Sequence, residues 1–139
     1  MSYAADFFEG VRDLLAEAGE DGQIIRTTTE RSPTNPTQMV TVTKTYTARM
    51  FFDEPRKTYV TGGVQVETAA TLYVDWLSLV DTDTDTAVNT LVDGEPVITL
   101  ETSQGDVAVR ANGENLTLLV NIAPNINGVT VVGQHEVER

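Results

Sequence analysis

The feature that most restricts the fold is a change of hydrophobic period near residue 20. In residues 4–18, Phe7, Phe8, Val11, Leu14, Leu15 and Ala18 recur at i, i+3, i+4 and i+7, the spacing that gathers apolar side chains on one face of an α-helix. Glu9, Arg12, Asp13 and Glu17 fall on the other side. Gly10 inside the pattern costs roughly 1 kcal/mol relative to alanine, and Gly19 is placed to end the helix. From Gln23 onward the period is two, and Thr, Val, Ile and Tyr dominate; these residues suit a pleated, half-buried surface. The chain therefore has one helix to set against a sheet.

"QIIRTTTE" and "MVTVTKTYTARMFF" read as strands joined by "RSPTNPTQ", whose prolines, Asn and Ser make a turn. "DEPRKTYVTGG", residues 53–63, breaks the alternation with a proline, a basic pair and a double glycine, and reads as a long loop or mobile ribbon. Val64 and Val66 alternate like a strand, whereas 69–80 fits a strand or a short helix equally well. Residues 81–95, "DTDTDTAVNTLVDGE", read as a second long loop, with Asp93-Gly94 as a turn signal. Beyond it "PVITLET", "VAVRA", "LTLLVNIAP" and "VTVVGQHEVER" are strands separated by "SQGD", "NGEN" and "NING", the rhythm of an antiparallel sheet or small barrel. The expected fold is mainly β, a small antiparallel β-barrel over 23–139 with an N-terminal α-helix over 4–18. Residues 1–139 make a single domain, a size that buries a real core.

Composition narrows the chemistry. With no cysteine there is no disulfide framework and no thiolate metal site, and a single histidine, His135, rules out a His-clustered metal centre within one chain. Acidic residues outnumber basic ones 21 to 9, a net charge of −12. That opposes adhesion to nucleic acid or anionic lipid, which rests on Lys and Arg, but suits a wall that DNA slides past. No apolar run approaches the ~20 residues of a membrane span, and the N-terminus lacks the layout of a signal peptide. A soluble protein made in the cytoplasm, with no membrane partner, is expected.

The run "DTDTDT" invites a calcium reading, because hard cations take oxygen ligands from alternate loop positions. Asp81, Asp83 and Asp85 match the first three ligand positions of an EF-hand loop, but Thr86 stands where the sharp turn needs Gly and Val92 where a bidentate Glu is needed. The default is an acidic solvated loop without metal; a calcium-dependent β-rich binding module is the alternative from a different class. His135 lies in an alternating strand with no G-x-S-x-G serine anywhere, and reads as an exposed or edge-strand histidine. Gly62-Gly63 lacks phosphate-loop spacing, and Arg49, Arg56 and Lys57 are too few for a nucleic-acid site. Trp76, Tyr73 and Leu77 read as core before partner patch. No catalytic residue, cofactor site or metal site emerges, so no enzyme is expected.

The order of elements is more telling than any motif. A helix ending "LLAEAGEDG", the strand "QIIRTTTE", a proline-rich turn, the threonine-rich "VTVTKTYTARMFF" and a closing "GDVAVRANGENLTLLVNIAPNINGVTVVGQHEVER" resemble the head-completion, or stopper, proteins of tailed bacteriophages. The resemblance covers residues 4–66 and 105–139; the acidic stretch 67–104 departs from it. It implies a homo-oligomeric ring, commonly a hexamer, in the virion neck at the head–tail interface. Such a ring binds below the portal and adaptor proteins, docks tail-terminator or tail proteins, and touches packaged DNA only passively. In that family the loop between the second and third strands narrows the channel. Here it corresponds to 53–63, making Asp53, Glu54, Pro55, Arg56, Lys57, Gly62 and Gly63 the candidate gate. Because a ring repeats each charge by symmetry, Asp81, Asp83 and Asp85, in the stretch that departs from the family, are the candidate acidic lumen or rim. A tail-terminator or other connector ring is the nearest alternative.

Overall fold

The helix α1 (Tyr3–Ala18) forms over the stretch its periodicity predicts, in a computed structural model that describes residues 3–53, 58–61, 64–67, 70–121 and 131–138. Its last turn closes through the Gly19 N–H to the Leu15 carbonyl at 3.0 Å. Arg49 donates to the carbonyls of Leu15 and Ala16 at 2.9 Å each, setting a cation at the negative end of the helix dipole. A Cβ at Gly19 would overlap the carbonyl oxygens of Leu15 and Met50, so close approach explains this glycine. Of the expected apolar stripe, Leu15 is buried, while Leu14 is 52% exposed; the side chains of Phe7, Phe8 and Val11 lie outside the described residues.

The strands among the described residues are β1 (Glu20–Arg31), β2 (Met39–Asp53), β3 (Thr58–Thr61), β4 (Val64–Glu67), β5 (Thr71–Asp75), β6 (Val80–Asp81), β7 (Thr86–Ala87), β8 (Thr90–Val92), β9 (Glu95–Val97), β10 (Val107–Val109), β11 (Asn115–Asn121) and β12 (Val132–Glu138). Six of them, in the order β1-β10-β11-β12-β5-β2, close into an antiparallel barrel when β2 pairs back onto β1. Closure removes the free edges that a small open sheet would expose. Alternation sorts the side chains: Ile24, Tyr46, Ala48, Met50, Leu72, Val74, Ala108, Leu116 and Leu118 form the interior core with Trp76 and Leu79. On the outside, Leu15 of α1 packs with Val131 and Val132, flanked by Phe51, Tyr73 and Leu77. Phe51 and Tyr73 are cross-strand partners with ring centroids 6.2 Å apart. Arg12 fastens the helix to β5 through two bonds of 3.1 Å to the buried Asp75 carboxylate.

Several expectations need correcting. The stretch 81–95 is no long loop: β6 and β7 form one hairpin and β8 and β9 another. At the second tip Asp93 and Gly94 both have positive φ, 53° and 79°, as a type I′ hairpin turn requires. Within 53–63, read as a long loop or mobile ribbon, Asp53 ends β2 and Thr58–Thr61 pairs with β4 in a two-stranded ribbon; Thr, Tyr and Val all favour strand. Of 69–80, the described residues 70–80 resolve into both readings, β5 and then a 3₁₀ turn (Trp76–Ser78) capped by the Asp75 carboxylate. The expected strand "PVITLET" stops at Val97. Beyond it the backbone finds a side chain instead of a ladder: Asn89 Oδ1 accepts from the N–H groups of Thr99 and Leu100 at 2.8 and 2.9 Å, and Asn89 Nδ2 donates to the carbonyls of Trp76 and Leu100 at 2.8 Å each. The "NING" turn lies outside the described residues.

Candidate functional site

The aspartate run folds into the tip of the β6–β7 hairpin. Asp81 Oδ1 accepts from the Asp83 N–H at 2.9 Å, and the Asp85 N–H returns to the Asp81 carbonyl at 2.8 Å; a short carboxylate side chain that bonds backbone two residues on is the usual device of such turns. Asp85 takes a left-handed φ of 54°, which Asp tolerates better than most residues. The hairpin extends the edge of β2 through Tyr46↔Asp81 and Thr47↔Val80. Lys44, on the neighbouring strand, meets Asp81 at 3.1 Å and Asp83 at 3.2 Å. The Asp83 N–H and Lys44 hold the Asp81 carboxyl below its ordinary value, and Asp81 and Asp83 hold the Lys44 ammonium above its own. Two of the three aspartates are thus already bound to a cation of the chain itself. Among the described residues no group of three or more His, Cys, Asp or Glu is placed to hold a metal ion.

The candidate gate is only partly described. Asp53 is the exposed last residue of β2, whereas Glu54, Pro55, Arg56, Lys57, Gly62 and Gly63 lie outside the described residues. Arg49, grouped with Arg56 and Lys57 on sequence, is committed elsewhere, to the end of α1 and to Asp21 at 3.2 Å.

The histidine expectation is overturned. His135 is 0% exposed and sits on β12, an interior strand between β11 and β5. Its Nδ1 lies 2.8 Å from the Leu119 carbonyl, its Nε2 lies 2.8 Å from Thr102 Oγ1, and Trp76 Nε1 donates to the same Thr102 oxygen at 2.8 Å. The directions follow from what each group can do. A carbonyl only accepts, so Nδ1 carries the ring proton. Nε2 is then an acceptor, and the Thr102 hydroxyl donates to it while accepting from Trp76. Burial pushes the imidazole below its ordinary value, which agrees with a neutral ring. Sealed from solvent and engaged at both nitrogens, His135 braces the interior. Trp76, buried as expected, supplies the first link of the chain.

Strand parity could have located His135. Residues 131, 133, 135 and 137 are Val, Gly, His and Val, whereas 134, 136 and 138 are Gln, Glu and Glu, so His135 shares the apolar face. No comparable signal marks Thr102 or Asn89. A third polar cluster joins them: Asp106, buried, takes Arg26 Nε and Nη2 at 2.9 and 2.8 Å and the Ser103 N–H at 2.9 Å.

Charge is distributed unevenly. Among the described residues Arg12, Arg26, Lys44, Arg49 and Arg110 each bind a carboxylate of the chain, and Arg110 also lies over the Phe52 ring at 4.5 Å. The outward charge is accordingly acidic. No helix among the described residues is long and apolar enough to cross a membrane. Comparison with protein-family models, curated proteins and solved structures finds no match for this chain.

Proposed function

We propose that the chain is a structural virion protein of the tailed-phage neck, a head-completion or stopper subunit that forms a ring below the portal and adaptor, retains packaged DNA and docks the tail. The observation that carries the reading is architectural: a closed six-stranded antiparallel barrel with the α-helix α1 packed on the outside, the arrangement that the resemblance implies. Electrostatics supports it. A ring repeats each charge by symmetry, and a surface whose cations are mostly neutralised from within presents repelling walls to a polyanion. In such a ring the segment from Asp53 to Gly63 is the gate, and the β6–β7 tip with Asp81, Asp83 and Asp85 lies at the lumen or rim.

A cryo-EM map of the particle tests this directly. Density for the chain against the portal or adaptor ring supports the stopper, whereas density on tail-tube subunits replaces it with a terminator. Portal or capsid genes upstream and tail genes downstream of its own gene would fix the class more cheaply.

A further inference from the structure

The β1–β2 hairpin outgrows the barrel. β10 pairs with β1 only at 23–25, and β6 pairs with β2 only at Tyr46 and Thr47. From Arg26↔Lys44 to Arg31↔Met39, six residue pairs continue as a two-stranded arm, about 20 Å long at strand rise. Its tip is locked: the Ser32 N–H reaches the Gln38 carbonyl at 2.9 Å, the Gln38 N–H reaches the Asn35 carbonyl at 3.0 Å, and Asn35 Oδ1 accepts from the Thr37 N–H at 3.2 Å. A rigid arm loses little further entropy on docking.

The register divides the arm into two faces. Ile24 and Tyr46 point into the barrel, so the outer face, of opposite parity, carries Thr27, Thr29, Arg31, Met39, Thr41 and Thr43. That face has no acid, and Met39 is 60% exposed. Arg31 is the one cation among the described residues without a carboxylate partner.

The β8–β9 hairpin is its chemical counterpart. Val92 and Val97 are 54% and 42% exposed, and by register they share a face with Glu95. Asp93 at the turn and Glu95 carry no ion pair among the described residues.

We propose that the outer face of the arm seats on the β8–β9 hairpin of a second copy, with Arg31 meeting Glu95 and Asp93 and Met39 packing on Val92 and Val97. Because the two surfaces differ, the contact is head to tail, the kind that closes a ring or propagates a stack. This rests on the ring assembly proposed above and names its subunit contact.

The absence of cysteine allows a specific test on the isolated chain. Met39→Cys and Val92→Cys proteins, mixed at high concentration under mild oxidation, should give a disulfide dimer of one chain of each kind. Met39→Cys alone should give little, and Leu14→Cys mixed with Val92→Cys should define the background. Arg31→Glu in the Met39→Cys chain should slow cross-linking about fivefold, the effect of one exposed ion pair, and Glu95→Arg in the other chain should restore it. A mixed dimer no faster than background, or an equally fast Met39→Cys self-dimer, overturns the contact. The neck position is read from particles and this contact from the purified chain, so each can fail without the other.

Discussion

Replacing Thr102 by valine probes the barrel interior most sharply, because it keeps the shape of the side chain and deletes one oxygen. That oxygen serves two buried partners, accepting from Trp76 Nε1 and donating to His135 Nε2 at 2.8 Å each. Thr102, Trp76 and His135 are 3%, 1% and 0% exposed, so water cannot readily replace it. Each buried polar group left unpaired costs about 1–3 kcal/mol. Thr102→Val should therefore destabilise the fold by about 2–5 kcal/mol, a large fraction of the ~5–15 kcal/mol typical of a domain. Trp76 is the only tryptophan and lies in the network, so its fluorescence reports denaturant unfolding without a label. Thr102→Ser keeps the hydroxyl and should cost about 1 kcal/mol for the lost methyl. A Thr102→Val protein within about 0.5 kcal/mol of the parent, or a serine variant as damaged as the valine one, would refute the hydrogen-bond assignment.

Other perturbations follow from the same geometry. Gly133→Ala would bring a Cβ to 2.5 Å from Thr102 Oγ1 and 2.6 Å from Trp76 Nε1; about 1–3 kcal/mol is expected to be lost, with a shifted Trp76 emission. Since burial holds the His135 pKa below the ordinary imidazole value, the unfolded chain takes up the proton first. Stability should then be full above about pH 6.5 and fall as pH drops below it, and His135→Gln, compared at pH 5–6.5 by denaturant titration, should lack that slope. Asp83→Asn with Asp85→Asn alters only exposed side chains and should change stability by under about 0.5 kcal/mol. Under the proposed neck role, the same pair should alter DNA retention or ejection if the β6–β7 tip faces the lumen, and normal packaging and ejection would assign it to the solvent side.

The barrel was legible where local chemistry and pattern agree. The 3.6-residue period of 4–18, the alternation in β1, β2 and β12 and the turns at 104–105 and 111–113 all place elements where they form. The middle of the chain was not legible, because its order comes from distant partners. Asp81 and Asp83 look like an alternating ligand set until Lys44 is brought across from β2, 37 and 39 positions away in sequence. "PVITLET" alternates like a strand, yet Asn89 intercepts the N–H groups of Thr99 and Leu100. His135 was misread because a lone polar residue in a strand suggests an exposed face, although its neighbours of the same parity are apolar. Local pattern reports which face a residue takes; it does not report which remote side chain will satisfy it.

That limit explains why the polar core collects around one segment. Residues 98–106 are irregular except for a turn, so their backbone groups cannot be satisfied by a ladder and need side chains or close tertiary partners. Asn89 holds the 99–100 end, Thr102 ties the middle to Trp76 and His135, and Asp106, gripped by Arg26, holds the Ser103 N–H at the far end. Ile98 and Leu100 then pack on the apolar core, which they could not do if the strap were free to pair with solvent. Of these three anchors, Asn89 has no titratable group and keeps 99–100 pinned at any pH. The middle anchor depends on a neutral imidazole. Protonating Nε2 would turn its acceptor into a donor, aim it at a hydroxyl whose own proton then has no partner, and set a charge among apolar side chains. Acid should therefore loosen the strap from Thr102 outward while the 99–100 end stays bound, a local opening that precedes loss of the barrel.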